Sequence, residues 1–410
     1  MKRTSRDNGF HGEPVEKIEL DESNIRRRVI LVILALVIAG VSIGYGISQL
    51  TSSNKGWNVI QVNSSSQINS GNEFTFSYYL GENGSPTAER KALVTLYTRL
   101  CEEAYKEFDI YNDYDGYHNL CYLNKHPNED VNVSDALYSA LELLNRYGNR
   151  YMFLGPVYEN YVSVLYADSD TSAEYFDQYY SEDYYNLYQD VLKFVNDNSK
   201  VNVELKGNNI VKLVVSSDYE QFFRENDFHY YLDLNWMRNA FVADYIADGL
   251  IENGFTHGNL ASHDGYSRVL GDFEYEYNLF DYVNRSVFQA GDLTHDIGDA
   301  FVLRKSYPLS ELDTDYYIYS DGTIRTPHLR MSDALNADES VRTYVAYSEK
   351  KGCAEILMNL IPAYYENSLK PVEESDINSV YVVDGTVYYS SHNDDNMQVY
   401  EKYSKIFINN

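Results

Sequence analysis

Residues 231–271 read YLDLNWMRNAFVADYIADGLIENGFTHGNLASHDGYSRVLG and pass from strand-like to helix-like to strand-like patterning in one run. Tyr231, Leu232 and Leu234 form a short apolar run, and Asn235 follows at a place suited to a helix N-cap, where a side-chain oxygen takes an orphan N–H. Met237, Phe241, Tyr245, Ile246 and Leu250 recur at helical spacing, and Gly254 supplies the residue beyond the end that accepts positive φ. The expected helix runs from Trp236 to Asn253. A strand is expected over Phe255 to Ser262, a turn at His263-Asp264-Gly265, and a second strand over Tyr266 to Leu270. A β-α-β piece of this kind is architecture and names no chemistry.

The chain has 410 residues, 44% of them hydrophobic, which is enough for a sizeable core. Val29 to Ser48 is uncharged, and at about 1.5 Å per residue its length matches a hydrocarbon core of roughly 30 Å. Lys2, Arg3, Arg6, Lys17, Arg26, Arg27 and Arg28 precede it, while Lys55 alone follows closely, so the expected topology is a cytoplasmic N-terminus with the bulk outside the cell. The expected divisions are a tail over 1–28, a transmembrane helix over 29–50, a Ser/Asn/Gly-rich stalk over 51–88 broken by possible strands at Trp57 to Val62 and Phe74 to Leu80, one α+β domain over 89–391 and a C-terminal tail over 392–410. The formal charge is −29, and residues 1–28 carry seven basic and six acidic side chains, so the rest of the chain sums to −30. Such an acidic surface argues against nucleic-acid binding. Three cysteines, Cys101, Cys121 and Cys353, show no metal-ligand spacing. The 42 tyrosines are dispersed, and the densest group, Tyr175 to Tyr188, has irregular gaps that fit no single face.

Elsewhere the local signals are clear. Glu89 to Asp109 is an amphipathic helix, Ser134 caps a helix striped by Leu137, Leu141 and Leu144, and Gly207-Asn208-Asn209 and Asp384-Gly385 turn two hairpins.

Taken in order, these elements resemble the FAD:protein FMN transferase (ApbE) family over roughly residues 90–391. Leu232-Asp233-Leu234 keeps the start of that family's L-D-L-G-G-I-A-K-G-Y segment. Asn235-Trp236 stands in place of its two glycines, Met237-Arg238-Asn239 in place of I-A-K, and Ala240-Phe241 in place of G-Y. His263-Asp264-Gly265 falls at its G-G-D turn, and Ile297-Gly298-Asp299 at its S-G-D. The resemblance therefore implies an ApbE-like fold, with Asn235, Trp236, Asn239, Asp264, Gly298 and Asp299 at flavin-facing places. Tyr317-Ile318-Tyr319-Ser320 falls where the family has H-I-I-D, and Ala354 and Met358 fall where its last helix supplies metal ligands. Cys101 and Cys121 lie on neighbouring family elements, and a bridge between them outside the cell is expected.

FMN transfer from FAD is phosphoryl transfer, which rests on a divalent cation held by oxygen ligands. An alanine offers none, and a methionine thioether is soft. The expected function is a non-catalytic flavin-, ligand- or partner-binding module, with no catalytic residue, no metal and no resident cofactor. Two alternatives stand beside it: an active Mg²⁺-dependent transferase using FAD, marked by a carboxylate near Ala354, and a tyrosine-rich module binding glycans or cell-surface proteins. His263-Asp264 and His295-Asp296 are further acid–base candidates, although adjacent side chains on a strand point to opposite faces.

Overall fold

A computed structural model of the chain describes residues 54–408 apart from 67, 83, 296–297, 310–312, 314, 337–342, 366–371, 373, 375 and 391–396. The expected cytoplasmic tail and the membrane span at 29–50 lie outside the described residues. Among the described residues, no helix is long and apolar enough to cross a membrane.

The chain opens with strands β1 (Gly56–Ile60) and β2 (Phe74–Leu80) and helices α1 (Pro86–Phe108) and α2 (Leu120–Lys125). There follow β3 (Val131–Asn132), α3 (Asp135–Arg146), α4 (Gly155–Leu165), α5 (Asp170–Phe176), α6 (Glu182–Val195), the hairpin β4 (Val201–Leu205) and β5 (Ile210–Val215), and α7 (Ser217–Glu225). Helix α8 (Arg238–Glu252) leads into β6 (Gly258–Ser262), β7 (Tyr266–Leu270), β8 (Tyr275–Val283), β9 (Ser286–His295) and β10 (Ala300–Lys305). The last part holds β11 (Tyr317–Ile318), β12 (Ile324–Arg325), β13 (Thr343–Ser348), α9 (Cys353–Tyr365), β14 (Asn378–Val383), β15 (Thr386–Tyr389), β16 (Met397–Val399) and β17 (Ser404–Phe407).

Nine strands form the main sheet in the order β1-β2-β6-β7-β10-β13-β14-β15-β17. Both of its faces are covered, which is why β10 and β13 are buried at every position. Side chains alternate across a strand. Val302, Tyr344 and Ala346 accordingly join the core beneath α1, α8 and α9, whereas Phe301, Leu303, Val345 and Tyr347 join a second core. That second core is closed by Leu279, Ala290, Leu293 and Met397 from the sheet β16-β9-β8.

The local signals of the sequence reappear where the controlling group is close in the chain. Ser134 Oγ accepts from Leu137 N at 3.1 Å at the start of α3. After α8, the Gly254 amide donates to Ile251 O and the Phe255 amide to Leu250 O, a Schellman closure with Gly254 at φ +83°. Asn208, Asn209 and Asp384 all lie in the left-handed region at their hairpin turns.

Four expectations are corrected. Residues 231–234 are not a strand, so the opening segment is no β-α-β unit. Leu232 is held instead by the Asn124 side chain, which accepts from its amide and donates to its carbonyl, each at 2.8 Å, and Asp233 donates its amide to Met152 O. Asn235 is not the cap of α8: a 3-10 turn, Asn235–Met237, intervenes, and Asp233 Oδ1 accepts the Asn235 amide at 2.7 Å. The supposed stalk contributes β1 and β2 to the main sheet, where Phe74, Phe76, Tyr78 and Leu80 are buried, and the supposed C-terminal tail contributes β16 and β17. Finally, Cys101, Cys121 and Cys353 are three separate buried thiols. Cys101 lies among the core residues of α1, and burial pushes its pKa up to about 12, while Cys121 lies by the Asp113–Lys125 ion pair.

Candidate functional site

A cavity of about 630 Å³ opens beside the 3-10 turn and the β6–β7 hairpin, within the usual range for small-molecule sites. Its residues come from the chain before β2, the end of α1, helix α4, the 233–239 segment, the hairpin turn, the end of β10 and the Pro327-His328 loop.

One wall is built around Trp236. Asn235 precedes it with φ +41°, a left-handed backbone that asparagine tolerates better than most side-chain-bearing residues, so this residue keeps a conformation glycine adopts easily. Trp236 itself is 5% exposed. Its indole Nε1 donates to Tyr158 Oη at 2.8 Å, its carbonyl accepts from Tyr266 Oη at 2.8 Å, and Tyr151 and His328 meet its ring edge-on. Tyr158 in turn donates to Pro327 O at 2.8 Å, which ties α4 to the loop carrying His328. Gly155 at the start of α4 lets the chain at Tyr230, just before the 233–239 segment, come close, because a Cβ there would lie 2.1 Å from Tyr230 O.

Arg304 comes from β10 and is 1% exposed. Its guanidinium lies 4.3 Å from the Tyr266 ring centroid and 5.6 Å from that of Trp236, and Nη1 donates to His328 Nε2 at 3.2 Å. A guanidinium only donates, so Nε2 carries no proton and the ring is neutral. Burial, then the charges of Arg304 and Lys305, hold the His328 pKa well below its ordinary value. Lys305 is likewise lowered by burial, against an ion pair to Asp313 Oδ2 at 2.8 Å and a bond to Tyr316 Oη at 3.3 Å.

At the other wall Arg238 pairs with Glu73, and the His263 amide donates to Glu73 O at 3.1 Å. Asp264 sits in the turn that Gly265 makes possible: its φ is +98°, and a Cβ there would lie 2.5 Å from Leu303 O. Burial raises the pKa of Asp233 and of Asp264, and the nearest opposing charges are Arg238 and Arg304 respectively, although for Asp233 the Asn235 amide opposes the shift more. The described lining thus holds five carboxyl side chains, Glu73, Asp233, Asp264, Asp313 and Asp315, against three cations, Arg238, Arg304 and Lys305.

Of the six residues expected to face flavin, Asn235, Trp236, Asn239 and Asp264 line this cavity and Gly298 and Asp299 do not. The Gly298 amide donates to Asp272 Oδ1, and a Cβ on Gly298 would lie 3.1 Å from Val269 O. Asp299 is buried with His295 Nδ1 at 2.9 Å and accepts from Tyr275 Oη at 2.5 Å. The Tyr317–Ser320 stretch is also elsewhere: Tyr319 donates to Asp177, which is paired with Arg325. Two histidines line the cavity, His263 of the expected turn and His328, and the motif reading missed His328 together with Arg304, Lys305 and Tyr158. A basic pair at the end of an otherwise apolar strand, A-F-V-L-R-K, was the one available signal for Arg304 and Lys305.

Ala354 and Met358 do not line the cavity. A carboxylate does lie by Ala354, namely Asp244, but it caps α9 by accepting from the amides of Cys353 and Ala354 at 2.8 and 2.9 Å and is paired with Arg268 at 2.5 Å. Met358 is buried, and its sulfur accepts from Asn149 Nδ2 at 3.2 Å. These groups are committed to packing and do not suit a hard cation that requires several oxygens. Among the described residues, no three His, Cys, Asp or Glu side chains converge as a metal centre would require. The six tyrosines of the 175–188 group diverge: Tyr175, Tyr179, Tyr180 and Tyr185 are exposed, while Tyr188 is fully buried.

No family model and no curated protein matches the sequence. Solved structures do match. Flavin transferase ApbE from Vibrio cholerae superposes with a TM-score of 0.55 at 14% identity, covering 85% of this chain and 97% of that one. The ApbE protein of Thermotoga maritima gives 0.53 at 12% identity, with 80% and 95% covered, and the apo form of the flavinyl transferase ApbE of Pseudomonas stutzeri gives 0.50 at 12%, with 86% and 97% covered. At such identities the likeness is one of architecture. The chain has the α+β fold of the ApbE flavin transferases.

Proposed function

We propose that this chain is a membrane-anchored, extracellular binding module of the flavin-transferase fold, which holds a planar, flavin-like ligand in the cavity beside Trp236 without transferring it. The observation that carries the reading is the pairing of two features. The cavity has ligand-sized volume and aromatic walls at Trp236, Tyr158 and Tyr316, whereas Ala354, Met358 and Asp244 are bound up in the packing of α9. A stacking wall suits a flat ring, and aromatic pairs add about 0.5–1.5 kcal/mol beyond area burial. Phosphoryl transfer, in contrast, needs charge neutralised on the departing phosphate, and the carboxylate beside Ala354, Asp244, is already engaged by two amides and Arg268.

The test mixes the purified full chain with riboflavin, FMN or FAD, with and without Mg²⁺, and follows flavin fluorescence, then assays an acceptor protein for covalent flavin. The expected result is saturable quenching that Mg²⁺ leaves unchanged and no covalent flavin. Covalent flavin on the acceptor would establish the Mg²⁺-dependent transferase instead, and no quenching with any of the three would remove the flavin-like ligand. The anchor rests on the apolar run at 29–50 and its flanking charges: protease added to intact cells is expected to digest the chain beyond Thr51, and full protection would refute it.

A further inference from the structure

We infer that the cavity selects the uncharged ring portion of a flavin-like ligand and discriminates against its phosphorylated forms. This rests on the flavin-like reading of the same cavity and adds the ligand's charge class. The lining carries more carboxyl groups than cations, and the cations are engaged by the protein itself. Arg238 is paired with Glu73, Lys305 with Asp313 at 2.8 Å, and Arg304 is spread over the Tyr266 ring while bonded to His328. A phosphate entering beside them must either break a pair that already neutralises a partly buried charge or sit unneutralised near Asp315, which accepts from Tyr166 at 2.9 Å. It brings about two negative charges at neutral pH. Backbone amides offer no substitute. The Asn235 amide, at the place where a glycine would let a phosphate approach, donates to Asp233, and the Trp236 amide donates to Asn235 Oδ1 at 2.8 Å. A neutral ring carrying N–H donors meets the opposite situation, since carboxylates and the Asn239 carboxamide in the wall are acceptors.

The experiment measures the affinities of riboflavin, FMN and FAD for the full chain at low ionic strength and again at about 1 M salt, where the screening length falls to about 3 Å. Riboflavin is expected to bind at least about tenfold more tightly than FMN at low salt, a gap of about 1.4 kcal/mol. High salt is expected to narrow the ratio. Asp315→Asn, and separately Glu73→Gln, which releases Arg238, should shift the ratio severalfold toward FMN. FMN or FAD binding as tightly as riboflavin at low salt overturns the proposal while leaving the cavity a flavin site. Binding of none of the three overturns the flavin reading and this inference with it. The salt comparison uses the unaltered chain and decides the question even if a variant fails to fold: a riboflavin preference that salt does not narrow would be steric, and would overturn the electrostatic account.

Discussion

The Trp236 indole nitrogen donates to the Tyr158 hydroxyl at 2.8 Å, and the same hydroxyl donates to the Pro327 carbonyl, so one phenol joins the 3-10 turn, helix α4 and the His328 loop. Replacing Tyr158 by Phe removes both bonds and leaves buried polar groups to be desolvated, at about 1–3 kcal/mol. Trp236→Phe removes one bond of the two and also shrinks a buried bicyclic ring to a single one, so a cavity term adds to the lost bond. Urea denaturation of Tyr158→Phe, which isolates the hydroxyl, is expected to show that loss, and an unchanged midpoint would contradict the linking role of that hydroxyl.

Buried neutral His328 makes a distinct contribution to the pH dependence of stability. Its folded-state pKa is depressed, so the unfolded chain binds the proton first as pH falls below the ordinary histidine value of about 6.5. Stability from this group is complete above that value and declines below it, at up to about 1.4 kcal/mol per pH unit. Asp233, Asp244 and Asp264 are shifted upward and act in the opposite sense, their folded forms taking protons more readily as pH falls. Comparing His328→Gln with the unaltered chain isolates the histidine: the difference in unfolding free energy should change between pH 7 and 5, and a constant difference would exclude a depressed His328.

Gly265 and Gly207 both have positive φ, but only Gly265 faces a carbonyl at close range. Gly207→Ala should cost about 1 kcal/mol of backbone strain, and Gly265→Ala appreciably more, because Leu303 O must also give way. Thermal unfolding of the two variants checks this. Equal losses would mean that the hairpin carrying Asp264 yields easily.

The thiols are expected to be unbridged. Non-reduced peptide mapping should find Cys101, Cys121 and Cys353 all as thiols, and maleimide should label Cys101 and Cys353 only after denaturation, since both are fully buried. A Cys101–Cys121 crosslinked peptide would overturn this arrangement.

The sequence was legible wherever a residue acts on its own neighbourhood. Ser134 at a helix start, Gly254 at a helix end and Asp384-Gly385 at a turn each set local backbone geometry, and each is where its residue type leads one to look. Leu232 shows the opposite situation. Its apolar run looks like a strand, yet its backbone bonds go to a single asparagine side chain from α2, which no periodicity reveals. The cavity divides in the same way. Asn235, Trp236, Asn239 and Asp264 lie along one continuous segment and were accessible to motif reading. Arg304 is brought in by β10, and its burial is tolerable because the faces of Tyr266 and Trp236 receive its charge, a compensation made by strands and turns remote in the chain. The strands at 56–60 and 74–80 were legible as strands, but the Ser/Asn/Gly-rich composition around them concealed that they join the main sheet, since pairing with β6 is set by residues remote in the chain.

Because β1 lies at the outer margin of the main sheet and pairs antiparallel with β2 from Gly56–Leu80 to Ile60–Phe76, residue 54 enters the domain at a mechanical seam. Tension arriving from the N-terminal side loads the Gly56 end first and can peel the five pairs one after another, where a strand held within the sheet would have to shear all of them together. The first extension event under force would therefore release the strand and the loop after it, and with that loop Asn72 and Glu73 of the cavity wall, while β2 stays paired with β6.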